Sequence, residues 1–294
     1  MAETLVSVIV ATRRRDTELV RALESLVTQT YCPFEVLVID DNDDWEWNRK
    51  TEATIEAFQS QLNLRYIQNH PEKGSAEARN IGIHAARGEY ITFLDDDDVY
   101  LPEKIARQLE QMQEQNADYS LTDLDLYFDD GRLSEHRRRD YIRPNVSLLE
   151  CHFKHHMTGT DTLMFRRKYL LAIGGFPGID LGDEFYLMHR AIDGGGKLAY
   201  LNRCDVCAYV HDGDSGLSSG ETKIRCENDL YAYKKQFFYL FDRRVIRHIR
   251  MRHHAVLAFA ALRMRRPCVA VAHAFQSVVS APFQCMYMVI QRKL

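Results

Sequence analysis

Residues 6–10 read Val-Ser-Val-Ile-Val, a short β-branched run that suits a strand buried on both faces of a parallel sheet. Thr12 ends it at a polar turn. From Asp16 the period changes, and Leu19, Leu23 and Leu26 recur at helical spacing as far as Thr30. After Pro33, Phe34 to Ile39 forms a second apolar run that stops at Asp40 and Asp41, which completes a βαβ unit. The alternation continues with a strand at Leu64 to Gln68, an Ala-rich helix around Glu77 to Ala86, and a strand from Tyr90 to Leu94 that delivers Asp95. A helix over Glu103 to Gln115 and a strand near Tyr119 to Thr122 close this half. Ligands collect beyond the carboxyl ends of strands in open parallel sheets, so Thr12, Asp40, Asp41 and Asp95 to Asp98 are predicted to converge on one rim.

A softer boundary falls near residue 125. Beyond it come a basic loop around His136 to Arg143, a Gly-rich segment from Gly174 to Gly182, a helix from Asp183 to Ile192, a turn at Gly194 to Gly196, and long helices after Lys223. The chain is thus read as α/β in three segments: residues 1–125, 126–242 and 243–294.

Composition changes this picture in three places. A chain of 294 residues, 46% hydrophobic and 27% charged, can bury a sizeable core and is not a disordered one. The N-terminus runs straight into the first strand without the basic start and long apolar core of a secretory signal, so cytosolic exposure is expected. The seven cysteines include one CxxC, Cys204 and Cys207, with no second pair to complete a zinc site, so reduced thiols are expected. Charge is unevenly spread: residues 243–294 hold ten Lys or Arg and no Asp or Glu, which against the net −4 of the chain leaves −14 on the remainder. Such a tail predicts an anionic surface as its partner.

The chemistry concentrates in Asp95 to Asp98. Four adjacent carboxylates repel and raise one another's pKa unless a cation neutralises them, and hard carboxylate oxygens suit Mg²⁺ or Mn²⁺ shared with phosphate oxygens. The alternative is a solvated acidic loop in which Asp98 caps the following helix. No GxGxxG follows the first strand and no GxxxxGK[ST] is present, which excludes dehydrogenase-type dinucleotide binding and a P-loop. Arg79 lies on a helix facing the same rim, where its guanidinium would pair with a phosphate.

Four ordered segments then carry a resemblance: Val6-Ser-Val-Ile-Val-Ala-Thr12, Val38-Ile-Asp-Asp-Asn42, Ala78-Arg-Asn-Ile-Gly82, and Gly88-Glu-Tyr-Ile-Thr-Phe-Leu-Asp-Asp-Asp-Asp98. Together the chain resembles glycosyltransferase family 2 from about residue 5 to residue 240. The resemblance implies a GT-A fold: a Rossmann-like mixed sheet flanked by helices, here followed by a basic helical tail. It implies an inverting, metal-dependent transfer of a hexose or N-acetylhexosamine from a nucleotide sugar, UDP-linked in the first instance, in polysaccharide or glycoconjugate biosynthesis. Residues 1–125 would bind the donor and 126–242 the acceptor. By the same resemblance, the turn Ala11, Thr12 and Arg13 and the carboxylate of Asp41 hold the base. Asp95 and Asp96 meet ribose and diphosphate, and Asp97 and Asp98 meet Mn²⁺ or Mg²⁺. Gly182-Asp183-Glu184 resembles the family's acidic pair at a helix start, with Glu184 favoured as base and Asp183 the alternative or the helix cap. His211 resembles a residue on a late loop over the diphosphate and is a further candidate ligand, with Ser215 and Ser218 behind it. The sequence departs from the pattern at Arg13-Arg14-Arg15, where an aromatic or Asn is usual, and at Asp43-Asp44-Trp45, which replaces a small Gly/Ser loop.

Two other classes compete. A sugar nucleotidyltransferase also uses acidic residues and metal on an α/β sheet but has no use for Asp183-Glu184. A non-catalytic carbohydrate or nucleic-acid binding module finds support only in the basic tail. For that tail, the arginine clusters 243–252 and 263–266 interleaved with apolar runs fit interfacial helices on the cytoplasmic face of a membrane, near a lipid-linked acceptor. A helical hairpin packed on the catalytic half or on a second subunit is the alternative.

Overall fold

The computed structural model describes residues 4–179, 182–210 and 220–290. Its contacts divide the chain into two units, Met1–Arg143 with Met157–Asp212, and Pro144–His156 with Gly213–Leu294.

The first unit is built on a mixed sheet. Strand β1 (Val6–Thr12) lies between β2 (Phe34–Asp40) and β4 (Tyr90–Phe93), parallel to both, and β3 (Leu64–Gln68) continues the parallel part beyond β2. On the other side of β4 the direction changes. β8 (Leu163–Arg166) runs antiparallel to β4 and to β6 (Tyr119–Phe128), β9 (Leu198–Val210) is parallel to β6, and β5 (Val99–Tyr100) pairs with β9. The short β7 (Leu133–Arg137) forms a hairpin with β6. The strand β6 runs straight through the boundary expected near residue 125.

Burial on both faces explains why β1 is mostly apolar. Val6, Val8 and Val10 share a core with Leu19, Leu23 and Leu26 of α1 (Thr17–Val27), whose start is capped by the Asp16 carboxylate accepting from Thr17 N at 2.7 Å. Burying each leucine contributes roughly 1.5–3 kcal/mol. Ile9 points the other way, against α3 (Ser75–Ala85): a Cβ at Gly82 would lie 2.5 Å from Ile9 Cγ2, so only glycine lets this helix approach the sheet so closely. The remaining helices of the unit are α2 (Trp45–Phe58), α4 (Lys104–Glu114), α6 (Arg167–Ala172) and α7 (Asp183–Asp193).

The second unit is helical: α5 (Leu148–His155), α8 (Gly220–Lys235), α9 (Arg243–Arg263), α10 (Pro267–Ser280) and α11 (Pro282–Ile290). Phe153 stacks near Phe237 and Phe241 at ring-centroid distances of 5.7 and 5.0 Å, and His253 meets Glu227 at 3.1 Å. Met251 and Ala255 of α9 pack with Ala281, Cys285 and Met288. The run from Cys268 to Ile290 is two helices, because Pro282 offers no N–H to continue α10 and instead opens the next helix. No helix among the described residues is long and apolar enough to cross a membrane.

Candidate active site

The parallel register Val6↔Tyr90 to Ile9↔Phe93 carries the chain leaving β4 alongside the turn leaving β1. That turn is tied to the aspartate run by three contacts. Thr12 Oγ1 donates to Asp96 Oδ2 at 2.8 Å, Arg13 N donates to the same oxygen at 3.3 Å, and Arg15 pairs with Asp97 at 2.9 Å. Arg14, at φ 53°, turns the chain so that its N–H reaches Asn42 Oδ1 at 2.8 Å. Of the three arginines that depart from the family pattern, Arg13 supplies a backbone donor and Arg15 a charge to the aspartate run, and Arg13 also pairs with Glu72. Ala11 sits opposite Ile39 near the end of β1. Asp41 N bonds Thr12 O at 3.0 Å, and its carboxylate accepts from Asn69 Nδ2 at 2.6 Å, Lys73 N at 3.0 Å and Gly74 N at 2.8 Å. It thereby fixes the loop that leads into α3.

A second cluster forms around Asp95. Carboxylate oxygens of Asp95, Asp98 and Asp161 all lie within 4.8 Å of one another. Asp161 belongs to a short 3-10 turn, Thr160–Thr162, just before β8, and its Oδ1 accepts the N–H of Asp95 at 2.6 Å. Asp98 accepts from Tyr209 N at 3.0 Å. It does not cap the next helix, which begins six residues after the run, at Lys104, behind Glu103.

Arg79 joins this cluster to the acidic pair. Its guanidinium, nearly buried, meets Asp95 at 2.7 Å and Asp183 at 3.3 Å, with Phe176 beneath it at 5.3 Å. Its partners among the described residues are thus two carboxylates. At the start of α7, Asp183 Oδ1 also accepts Glu184 N at 3.0 Å, so both its oxygens are engaged. Glu184 Oε1 accepts from Thr160 N at 3.0 Å and from Thr160 Oγ1, while Oε2 bonds nothing among the described residues.

The electrostatics follow from burial and crowding. Burial, then Asp97, pushes Asp96 up to about 7. Burial, then Asp95, pushes Asp161 up to about 8, and burial with Asp161 holds Asp98 well above the carboxylate range. Asp183 is raised to about 6 by burial and Glu184, against the opposing pull of Arg79. Three converging carboxylate oxygen donors, two of them on buried groups held above the carboxylate range, fit a hard divalent cation.

Sequence reasoning named Asp95 to Asp98, Arg79, Asp183 and Glu184, and these come together. Asp97 turns instead to Arg15, one step away from the Asp95, Asp98 and Asp161 group. It missed Asp161 and Thr160, whose one signal is a polar Thr-Asp-Thr triplet directly ahead of a strand. His211, Ser215 and Ser218 lie outside the described residues.

The family model for glycosyl transferase family 2 matches residues 7–174, more than half of the chain. The chain belongs to glycosyl transferase family 2. Among curated family members, an uncharacterised glycosyltransferase of Rickettsia felis is 35% identical over 49% of this chain and 23% of its own length. A second, from Methanocaldococcus jannaschii, is 31% identical over 58% of each chain. The matches thus span well under two thirds of these relatives. The Escherichia coli UDP-Glc:alpha-D-GlcNAc-diphosphoundecaprenol beta-1,3-glucosyltransferase WfgD is 25% identical over 76% of this chain and 83% of its own. Among solved structures, Staphylococcus aureus TarS 1-349 in complex with UDP-GlcNAc superposes with a TM-score of 0.64 at 20% identity, covering 95% of this chain and 91% of that one. The mannosyltransferase PcManGT of Pyrobaculum calidifontis, in complex with GDP-Man and Mn²⁺, gives 0.59 at 17% identity over 98% and 88%. The mixed sheet flanked by helices is the GT-A architecture these family structures share.

Proposed function

We propose that this chain transfers a hexose or N-acetylhexosamine from a UDP-sugar to an acceptor hydroxyl with inversion. The observation that carries the reading is the convergence of the aspartate run, the β1 turn and the acidic pair of α7, joined through Arg79. The β1 turn and the Asp41-anchored loop would receive the base and ribose, and Asp95 to Asp98 with Asp161 would hold Mg²⁺ or Mn²⁺ against the diphosphate. When bound, that ion supplies positive charge where the departing diphosphate becomes more negative. Glu184 is the base: one oxygen is fixed by Thr160, and the other is left for the acceptor proton. Asp183 has both oxygens engaged and holds Arg79 and the helix start. The acceptor proton passes to Glu184 as the hydroxyl oxygen bonds the anomeric carbon and the nucleoside diphosphate leaves. WfgD, which by name acts on a diphosphoundecaprenol-linked sugar, supports a lipid-linked glycan as acceptor class. Incubation with a panel of nucleotide sugars tests this reading. Nucleoside diphosphate release supports transfer, whereas pyrophosphate release from a nucleoside triphosphate and a sugar phosphate points to nucleotidyl transfer.

The second unit supports a membrane-surface role next to such an acceptor. Val271 and Phe275 of α10 are each 69% exposed and Phe283 of α11 is 79% exposed, apolar side chains presented beside eight described arginines and no acid in residues 243–290. The occupant proposed for this face is an anionic lipid leaflet, with each arginine near it contributing about 1 kcal/mol. The seven cysteines are thiols rather than disulfides, which suits a reducing compartment and supports the cytoplasmic face. A second copy of the chain is the competing occupant, and flotation with anionic vesicles separates the two.

A further inference from the structure

The CxxC on β9 is not used by the site described above, and its geometry is unusual. Residues three apart on a regular strand face opposite sides of a sheet. Against β6, however, β9 slips twice: Thr122 pairs with Leu201 and Asp123 with Cys204, then Asp125 with Cys207. Each slip places extra β9 residues opposite β6, and such bulges re-aim side chains. Their result is that Cys204 Sγ, a carboxylate oxygen of Asp125 and a ring nitrogen of His136 all lie within 4.8 Å of one another. The three come from three different strands, β9, β6 and β7.

Asp125 is the hinge of this arrangement. It stands directly opposite His136 in the β6–β7 hairpin, where Nδ1 lies 2.5 Å from its Oδ1, and directly opposite Cys207 in the β6–β9 ladder. A cavity of about 300 Å³ opens over the group, lined also by Asp123, Arg138, Asn202 and Arg203. It is open enough for an ion to enter.

We infer that Asp125, His136 and Cys204 form a second metal site, one that takes a borderline transition ion of the Zn²⁺ class. The donor set decides the class. A thiolate and an imidazole select Zn²⁺ or Co²⁺ over the Mg²⁺ or Mn²⁺ that suit the all-oxygen group of Asp95, Asp98 and Asp161. Tetrahedral zinc needs ligand atoms at about 2.0–2.3 Å from the ion, so the three side chains close inward by rotation about their own bonds, and the fourth position faces the cavity. On binding, Cys204 Sγ gives its proton to solvent and Asp125 exchanges its hydrogen bonds for the ion. The ion then ties the exposed hairpin strand β7 to β6 and β9.

The test is optical and needs no turnover. The full-length chain is stripped with chelator, dialysed and titrated with Co²⁺, and the cobalt is then displaced with Zn²⁺. The wild type is expected to show a thiolate-to-cobalt charge-transfer band in the near ultraviolet with visible tetrahedral bands, both removed by one equivalent of Zn²⁺. Cys204→Ser loses the charge-transfer band, and His136→Ala and Asp125→Asn each weaken Zn²⁺ binding by more than roughly tenfold. Asp97→Ala and Asp161→Asn keep the band, which separates this site from the oxygen-rich one. Circular dichroism confirms that each variant is folded, and Cys204→Ser exchanges a single atom. The inference is overturned if the wild type shows no thiolate band, or if the band persists undiminished in Cys204→Ser.

Discussion

The carboxylate of Asp161 accepts the backbone N–H of Asp95 at 2.6 Å, although 66 residues separate them in the chain. This bond holds the first aspartate of the run where Arg79 and Asp98 also meet it, and it places Asp161 among the candidate metal ligands. Asp161→Asn keeps the shape and removes a charge. It should weaken activation by Mn²⁺ about 10–100-fold. Without metal, above about pH 8, it should be at least as thermostable as the wild type, because a repelling carboxylate has been removed. Metal-activation curves and melting curves of the two proteins check both halves.

The raised carboxyls make a pH prediction for the metal-free protein. Asp96 stands at about 7 and Asp161 at about 8, both above the unfolded value of about 4. A group raised on folding contributes stability that is fully present below the unfolded value and is lost as pH rises through the folded one. The metal-free melting temperature should therefore fall between about pH 5 and pH 9, and the gain on adding Mn²⁺ should widen over the same range as the ion replaces the protons. A gain independent of pH would separate these carboxyls from metal binding.

Arg79 should be the most structurally demanding residue of the site. Its guanidinium is 10% exposed and faces the buried Asp183 and the part-exposed Asp95, so Arg79→Met leaves one buried carboxylate without its cation, at a cost of about 3 kcal/mol. Lysine cannot span both partners with a planar fork, so Arg79→Lys should recover only part of the loss. Chemical denaturation of the three proteins gives the comparison.

How much of this was legible depended on the kind of burial. Strands β1, β2 and β4 are almost wholly buried and read as short runs in which apolar residues dominate. Helix α1 shows its leucine stripe because one face alone is buried. The strand Leu133–Arg137, which overlaps the start of the basic loop expected around His136 to Arg143, carries no alternation of apolar and polar to mark it, because its side chains are largely exposed. Helix α2 escaped notice for a related reason: among its fourteen residues only Asn48, Thr51, Ile55 and Phe58 are buried, two of them polar. At the site, contiguous residues were legible and distant partners were not. Asp161 and Thr160 reach Asp95 and Glu184 only through the antiparallel pairing of β8, which no local pattern announces.

The acidic pair separates by role. Glu184→Gln should lower kcat by about 10²–10⁴ while donor affinity is spared, since a lost base harms the chemical step. Asp183→Asn should act chiefly through stability, because its partners are Arg79 and a backbone N–H. Donor binding by calorimetry beside steady-state kinetics distinguishes them. A dead Asp183→Asn beside a normal Glu184→Gln reverses the assignment.

The tail prediction is read by vesicle flotation. The full chain should float with anionic vesicles and be released by salt, and Phe275→Asp with Phe283→Asp should abolish flotation without changing the circular dichroism. Negligible flotation of the full chain, together with dimers in sedimentation, would assign the exposed apolar face to a second copy instead.

The most direct measurement of the central claim is nucleoside diphosphate release from the preferred nucleotide sugar, with and without Mn²⁺, in the wild type and in Asp98→Asn, which alters one of the three converging carboxylates. The account predicts turnover that requires the metal, stops in excess chelator, and is lost in a variant that remains folded. Full activity of Asp98→Asn, or full wild-type activity in chelator without added metal, would contradict it.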